Sequence, residues 1–141
     1  MPGADWIPWT DFAPTVLEHN LHALQSSHPS LFHDIRKVLD QPNSYLRKNP
    51  SGFIEWGLQD TGEFSIRLSA QRIQMDWPVF QKSIAQFSPA SRPTIVLQLG
   101  LDLGNTWALV CPQLNQSPQK ALVFVEPDLR YFALTLATIP M

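Results

Sequence analysis

The stretch TIVLQLGLDLG (residues 94–104) decides the predicted fold. Its first six residues, Thr94–Leu99, are mostly β-branched or apolar, which is typical of a strand buried in a parallel sheet. The two glycines of GLDLG (residues 100–104) favour a sharp turn after this strand, because glycine adopts backbone conformations that other residues avoid. A short helix over Trp107–Leu114 is expected to follow, although Pro112 is unfavourable in its last turn.

A second apolar run, Ala121–Val125, leads directly into Glu126-Pro127-Asp128, and a final helix is expected from about Leu129. A strand, a glycine turn, a helix and a second strand that ends in a carboxylate form the opening of a doubly wound fold. Right-handed crossovers bring the ends of both strands to one crevice. We therefore predict a Rossmann-like β-α-β-α unit over residues 94–141, with parallel strands, as part of a truncated doubly wound α/β domain.

The predicted crevice has features that suit a ligand. A helix N-terminus offers unpaired N–H groups, and Glu126 follows the second glycine at about the 20-residue spacing of the dinucleotide fingerprint. Asp102 stands where that fingerprint has its middle glycine, and its charge disfavours a phosphate, so a ligand with amine or hydroxyl groups fits better. The candidate ligand-binding residues are Gly100, Asp102, Gly104, Asn105, Glu126 and Asp128. A structural alternative remains open, in which the glycines form only a tight turn and Glu126 caps the following helix.

The remainder of the chain completes a single predicted α/β domain over residues 1–141. Proline at the start of a helix and apolar residues at helical spacing predict two helices joined by a tight link. Alternating residues around a glycine-containing turn predict a β-hairpin, with a turn longer than two residues. The predicted segments are an aromatic and proline-rich arm over 1–13, a helical hairpin over 14–40 (Pro14 to about Ser26, then Pro29 to Leu39), a loop over Gln41–Gly52, a β-hairpin over 53–68, a helix over Trp77–Phe87 with Asp76 as a possible N-cap, and a connector over Ser88–Pro93.

Composition excludes several classes of function. The 141 residues carry a net charge of -2, with 16% charged residues, which argues against a nucleic-acid partner bound by phosphate neutralisation. Cys111 is the only cysteine, so no internal disulfide is expected. Neither a secretory signal nor an apolar run of membrane-spanning length is visible, so we expect a cytoplasmic protein with no membrane partner.

For each candidate metal-binding or catalytic residue, an ordinary structural role is the better interpretation. His19 and His22 lie three residues apart on one predicted helix, a spacing that can hold a metal, but no third ligand is evident. Cys111 has no basic neighbour in sequence that would activate its thiol. We therefore expect no metal, no cofactor and no catalytic residue in this chain.

Two pairs of motifs follow one another along the chain. The first pair is Asn20-Leu21-His22-Ala23-Leu24 followed by His28-Pro29-Ser30-Leu31-Phe32, and the second is residues 96–104 followed by residues 122–128. Both resemble the motility-associated factor (Maf) glycosyltransferases: the first pair is similar to the helix, proline and second helix of that family, and the second to its glycine turn and strand-Glu-Pro-Asp segment. The order and spacing agree over roughly Val16 to Leu136, although Asp102 replaces the family's middle glycine.

The resemblance implies a function for the chain. Members of the family are bacterial and cytoplasmic, are several times longer than this chain, and are implicated in adding nonulosonic acids to flagellin. The chain resembles the N-terminal domain that precedes their catalytic, sialyltransferase-like domain. We therefore expect a domain without activity of its own, whose partners are the catalytic domain of the parent chain or an acceptor protein such as flagellin, with a homo-oligomer as a further possibility.

Two alternatives from other functional classes remain open. In the first, the chain is a fragment of a Rossmann-like methyltransferase, in which residues 100–104 bind S-adenosylmethionine and Glu126 holds its ribose hydroxyls. In the second, the chain is a protein-interaction module that uses the aromatic arm with Trp6, Trp9 and Phe12. These aromatic residues are expected to lie across a groove of either the same domain or a partner. Because two parallel strands alone make a poor sheet, we also expect either that the hairpin joins them or that an edge is left for missing residues or a partner chain.

Overall fold

A computed structural model describes residues 3–39, 43–85, 94–100, 102–108 and 120–140. Its largest sheet is antiparallel, with four strands in the order β1-β2-β3-β4. A separate sheet contains β5 and β6, which pair in parallel from Thr94 opposite Lys120 to Leu99 opposite Val125. The strands are β1 (Ile7–Pro8), β2 (Ser44–Lys48), β3 (Ile54–Asp60), β4 (Glu63–Leu68), β5 (Thr94–Leu99) and β6 (Lys120–Val125), and the helices are α1 (Trp9–Phe12), α2 (Pro14–Ser27), α3 (Pro29–Leu39), α4 (Ala70–Ala85) and α5 (Leu129–Leu136).

The predicted fold class, a truncated doubly wound α/β domain with a Rossmann-like unit, is wrong, although β5 and β6 pair in parallel as that prediction expected. The main sheet is antiparallel, and the hairpin β3–β4 joins β2 and β1 rather than the strand pair β5–β6. The error arose at β2, whose five residues SYLRK were assigned to a loop because asparagine and proline flank them. Residues of β2 pair with β3 from Ser44 opposite Leu58 to Lys48 opposite Ile54, and Leu46 is fully buried.

Helices α2 and α3 lie where proline and apolar spacing predict them. Pro14 occupies the first turn of α2, where its missing N–H has no intrahelical role. His28 ends α2, with its N–H bonded to the carbonyl oxygen of Leu24, and α3 begins at once with Pro29. The structure therefore contains both predicted helices, joined by the single residue His28.

The β3–β4 hairpin also differs in detail from its prediction. Asp60 pairs with Glu63, which leaves a two-residue turn at Thr61 (φ 43°) and Gly62 (φ 82°). Positive φ at both central residues is the conformation that matches the twist of a tight hairpin, so the predicted longer turn is wrong. A bulge lies opposite Trp56 and Gly57 in this pair, and Arg67 is the extra residue of β4 there.

Helix α4 is longer than predicted and starts earlier. It begins at Ala70 rather than at Trp77, so Asp76 is not an N-cap and Pro78 lies inside the helix. Ala70 and Ile73 are buried. The backbone N–H of Ala70 donates to Oε2 of Glu55 at 2.9 Å, which ties the start of α4 to the sheet.

One hydrophobic core joins the helices to one face of the antiparallel sheet. It contains buried residues of α1 to α5 and of the central strands, with Ile35, Leu46 and Leu103 fully buried. Trp56 of β3 meets Tyr131 of α5 edge to face, with ring centroids 4.9 Å apart. A helical layer on an antiparallel sheet is an α+β arrangement.

The N-terminal arm belongs to this domain. Trp9 is 2% exposed and lies in the core, and Trp6 is 9% exposed. The Trp6 ring meets Phe64 edge to face at 5.0 Å and carries the Arg47 guanidinium at 4.3 Å on its face. Of the two sites considered for the arm aromatics, the groove within the same domain is therefore the one occupied.

Several predictions fall outside the described residues. These are the connector Ser88–Pro93, the helix beyond Ala108 up to Leu114, and the role of Cys111. In the part of the helix that is described, residues 105–108 are helical. No helix within the described ranges is long and apolar enough to cross a membrane.

Candidate functional site

The turn after β5 has an unusual backbone. Gly100 (φ 90°) donates its N–H to the carbonyl oxygen of Val125 at 2.8 Å, which joins the ends of β5 and β6. Asp102 (φ 40°), Leu103 (φ 58°) and Gly104 (φ 80°) all have left-handed conformations. Such conformations are costly for residues with a side chain, so the surrounding contacts must hold them in place.

The C-terminal segment supplies those contacts. Leu103 is fully buried, and its carbonyl oxygen accepts a hydrogen bond from Oγ1 of Thr138 at 2.8 Å. Gly104 lies so close to Ile139 that a Cβ atom would come within 2.3 Å of that side chain. Gly104 is therefore required both for its positive φ and for this close approach.

Asn105 faces the antiparallel sheet. Its side chain accepts from the backbone N–H of Ile54 at 2.8 Å and donates to the Ile54 carbonyl oxygen at 2.9 Å. Ile54 lies beyond the end of β4, at an edge of β3 that no described strand covers. The Asn105 carboxamide thus takes the place of one residue of a neighbouring strand, and the side chain is only 5% exposed.

Asp102 is bonded to the helical segment that follows it. Its carboxylate accepts hydrogen bonds from the backbone N–H and the hydroxyl of Thr106. Burial raises the pKa of the Asp102 carboxyl above its ordinary value and the nearby Glu126 carboxylate adds to the rise, while the hydrogen bonds from Thr106 and the Asn105 backbone oppose it. Asp102 therefore caps the start of the helical segment that follows it, and its carboxyl is partly desolvated.

The acidic segment after β6 forms the start of α5. Oδ1 of Asp128 accepts from the N–H of Arg130 at 2.8 Å, so Asp128 is the N-cap of α5. Glu126 does not cap this helix, contrary to the structural alternative considered for it, and its Oε2 instead accepts from the N–H of Asp128 at 3.2 Å. Burial, followed by the charges of Asp128 and Glu126, raises the pKa of Tyr131.

The six candidate residues divide into two groups. Gly100, Asp102, Glu126 and Asp128 lie around the joined ends of β5 and β6, where the charges of Asp102 and Glu126 influence each other. Gly104 instead lies against the side chain of Ile139, and the Asn105 side chain is hydrogen-bonded to the backbone of Ile54. Their ligand-binding role stays a prediction, and the contacts found here are all within the chain.

Sequence analysis missed two buried polar residues. Asn20 is 2% exposed, and its Nδ2 donates to the carbonyl oxygens of Leu136 at 2.8 Å and Ile139 at 2.6 Å. Glu55 is 6% exposed and binds Arg47 at 2.8 Å and the Ala70 N–H. The position of Asn20 among the apolar residues of α2 was a signal that could have revealed its burial. No such signal existed for Glu55, because its partner strand β2 was predicted to be a loop.

Within the described part of the chain, no group of three or more His, Cys, Asp or Glu residues could hold a metal ion. No protein-family model, curated protein or solved structure matches the chain.

Proposed function

We propose that the chain is a non-catalytic supporting domain of a Maf-type bacterial protein glycosyltransferase. One observation carries the proposal: the two segments that resemble this family meet at the end of α5. Asn20, from the first segment, donates to the carbonyl oxygens of Leu136 and Ile139. Gly104, from the second segment, lies against the side chain of Ile139. The residues that carry the resemblance therefore hold the domain together.

The polar groups of the turn support a role without chemistry. Asp102 is bonded to Thr106, Asp128 caps α5, and Asn105 is bonded to Ile54. A catalytic acid or base must be able to reach a substrate proton. Groups whose hydrogen bonds are made within the chain suit a scaffold better than a reaction site.

The surface beside the turn suits the catalytic domain of the parent chain. Val123 and Val125 of β6 are 44% and 45% exposed, and Leu129 is 39% exposed at the start of α5. Parallel strands are normally covered on both faces. We propose that the catalytic domain, or the acceptor protein that it modifies, covers these side chains.

We do not adopt the methyltransferase alternative. It requires a doubly wound parallel sheet around the crevice, whereas the main sheet is antiparallel. The arm-based interaction module has little support, because Trp9 lies in the core and Trp6 is covered by Arg47 and Phe64.

Calorimetric titration tests the proposal. We expect the chain to bind a purified Maf catalytic domain or flagellin, and to give no heat with a CMP-linked nonulosonic acid or with S-adenosylmethionine. Val123→Lys should weaken the protein–protein binding at least tenfold, while Lys82→Glu, an exposed change on α4, should leave it unchanged. Binding of S-adenosylmethionine that is lost in Glu126→Ala would overturn the proposal, as would failure to bind either protein.

A further inference from the structure

Strand β4 presents an open edge to solvent. It is the terminal strand of the antiparallel sheet, and no described strand lies beyond it. Residues 63, 65, 66 and 67 are exposed, and Ile66 is 51% exposed although it is a large apolar residue. An exposed edge of this kind is a template for another strand unless its side chains prevent pairing.

The hydrogen-bonding pattern fixes which backbone groups of β4 face outward. Asp60 and Glu63 flank a two-residue turn, so they form a hydrogen-bonded pair, and Leu58 and Ser65 form the next one. The N–H and C=O groups of Phe64 and Ile66 therefore point away from β3. Arg67 is the extra residue of the bulge and has no partner in the β3 ladder.

The charges on β4 are self-complementary in one register. If two copies of β4 pair antiparallel about a two-fold axis at Ser65, Glu63 of each copy lies opposite Arg67 of the other. The outward-facing Phe64 and Ile66 then become hydrogen-bonded partners, and their apolar side chains meet on one face of the sheet. Registers centred on Phe64 or Ile66 keep the hydrogen-bond pattern but leave both charges without an opposite partner.

We propose that β4 is a homodimerisation edge, which joins two copies of this chain through the register centred on Ser65. The occupant is a second copy because, in this register, each copy itself supplies the charge that lies opposite Glu63 and Arg67 of the other, so no other chain is needed to complete the pairing. Opposite charges across a strand pair stabilise it and like charges destabilise it. Pairing would give a continuous eight-stranded antiparallel sheet and would cover Ile66. The proposal does not depend on the proposed function.

Charge reversal tests the register by sedimentation equilibrium over a range of protein concentrations. The parent chain should show a monomer–dimer equilibrium. Glu63→Arg and Arg67→Glu should each weaken dimerisation about tenfold or more, since each places like charges opposite at two symmetric positions. The double variant that carries both changes should restore it. Lys82→Glu, an exposed change outside β4, is the matched control and should have no effect.

Cross-linking provides a second measurement, with Cys111 replaced by serine throughout. In the proposed register Ser65 lies opposite its own copy in a non-hydrogen-bonded pair, with Cα atoms about 4.5 Å apart, which is close enough for a disulfide. Ser65→Cys should therefore form a covalent dimer on oxidation. Glu63→Cys should not, because its two copies lie about 13 Å apart along the strands.

Each outcome decides the proposal. A parent chain that stays monomeric at high concentration overturns it, as does a dimer that is insensitive to the charge changes or is cross-linked equally by both cysteine variants. Circular dichroism checks that each variant is folded. Where a charge variant does not fold, the cysteine pair decides the register alone.

Discussion

Asn20 joins the first helical hairpin to the C-terminal segment through two hydrogen bonds from one buried amide. We expect Asn20→Leu to lower the free energy of unfolding by about 3 kcal/mol, because it leaves two buried carbonyl oxygens without donors. His19→Ala, an exposed change on the same helix, should cost less than about 0.5 kcal/mol. Urea unfolding of both variants measures the difference, and equal stability of the two would contradict the assigned role.

A comparison of Gly104 with Gly52 separates the effect of a positive φ from the effect of close packing against a neighbouring side chain. Both have positive φ, but a Cβ at Gly104 meets Ile139, whereas a Cβ at Gly52 meets nothing within 4 Å. Both Gly→Ala changes should destabilise the chain, and Gly104→Ala by about 2 kcal/mol more, because it also overpacks the core. Ile139→Ala in the Gly104→Ala background should recover part of that loss in thermal unfolding. Purely additive effects would count against the close approach.

Asp102 gives the stability a specific pH dependence. Its pKa is raised in the folded chain, so the folded state holds this proton more tightly than the unfolded state does. The stabilising effect of the proton is fully present below about pH 4, the ordinary value for aspartate, and is lost as pH rises through the folded pKa. The stability of the parent chain relative to Asp102→Asn should therefore fall as pH rises across this window. A constant or rising difference in unfolding free energy would contradict a raised pKa for this carboxyl.

At the scale of elements, Asn105 substitutes for a missing strand at the end of β3. Asn105→Ala should expose the Ile54 N–H and speed its hydrogen exchange at least tenfold, which NMR can follow residue by residue. The amide of Gly57, which pairs with Tyr45 in the middle of the sheet, is the internal control and should keep its rate. Unchanged protection of Ile54 would mean that another group covers it.

The elements differ in how well the sequence predicts them. Helices α2, α3 and α5 were found because proline and apolar spacing act locally, and these signals lie within each helix. Strand β2 was missed because five residues between asparagine and proline carry little local signal, and its place follows from pairing with β3. That single omission changed the predicted fold class, since the antiparallel sheet depends on it.

The candidate site was predictable as a turn but not as an arrangement of contacts. The two glycines marked the positive φ of Gly100 and Gly104, but not that of Asp102 and Leu103 between them. The direction of Asn105 toward β3, and of Gly104 toward Ile139, depends on segments that are distant in sequence. Local patterns therefore identified the residues, while tertiary packing determined what they contact.

At the scale of the whole molecule, the chain is an α+β domain in which two motif residues, Asn20 and Gly104, contact the C-terminal segment. The proposed Maf function predicts that such a domain assists chemistry performed by a separate catalytic domain. The domain should therefore change the rate of sugar transfer only when a catalytic domain is present.

The most direct measurement is the mass of flagellin after incubation with a CMP-linked nonulosonic acid. With this chain alone, we predict that no sugar mass is added. With a Maf catalytic domain, we predict that adding the chain speeds the gain of mass several-fold, and that heat-unfolded chain has no effect. Transfer by the chain alone, or a catalytic domain that is indifferent to its presence, would contradict the account.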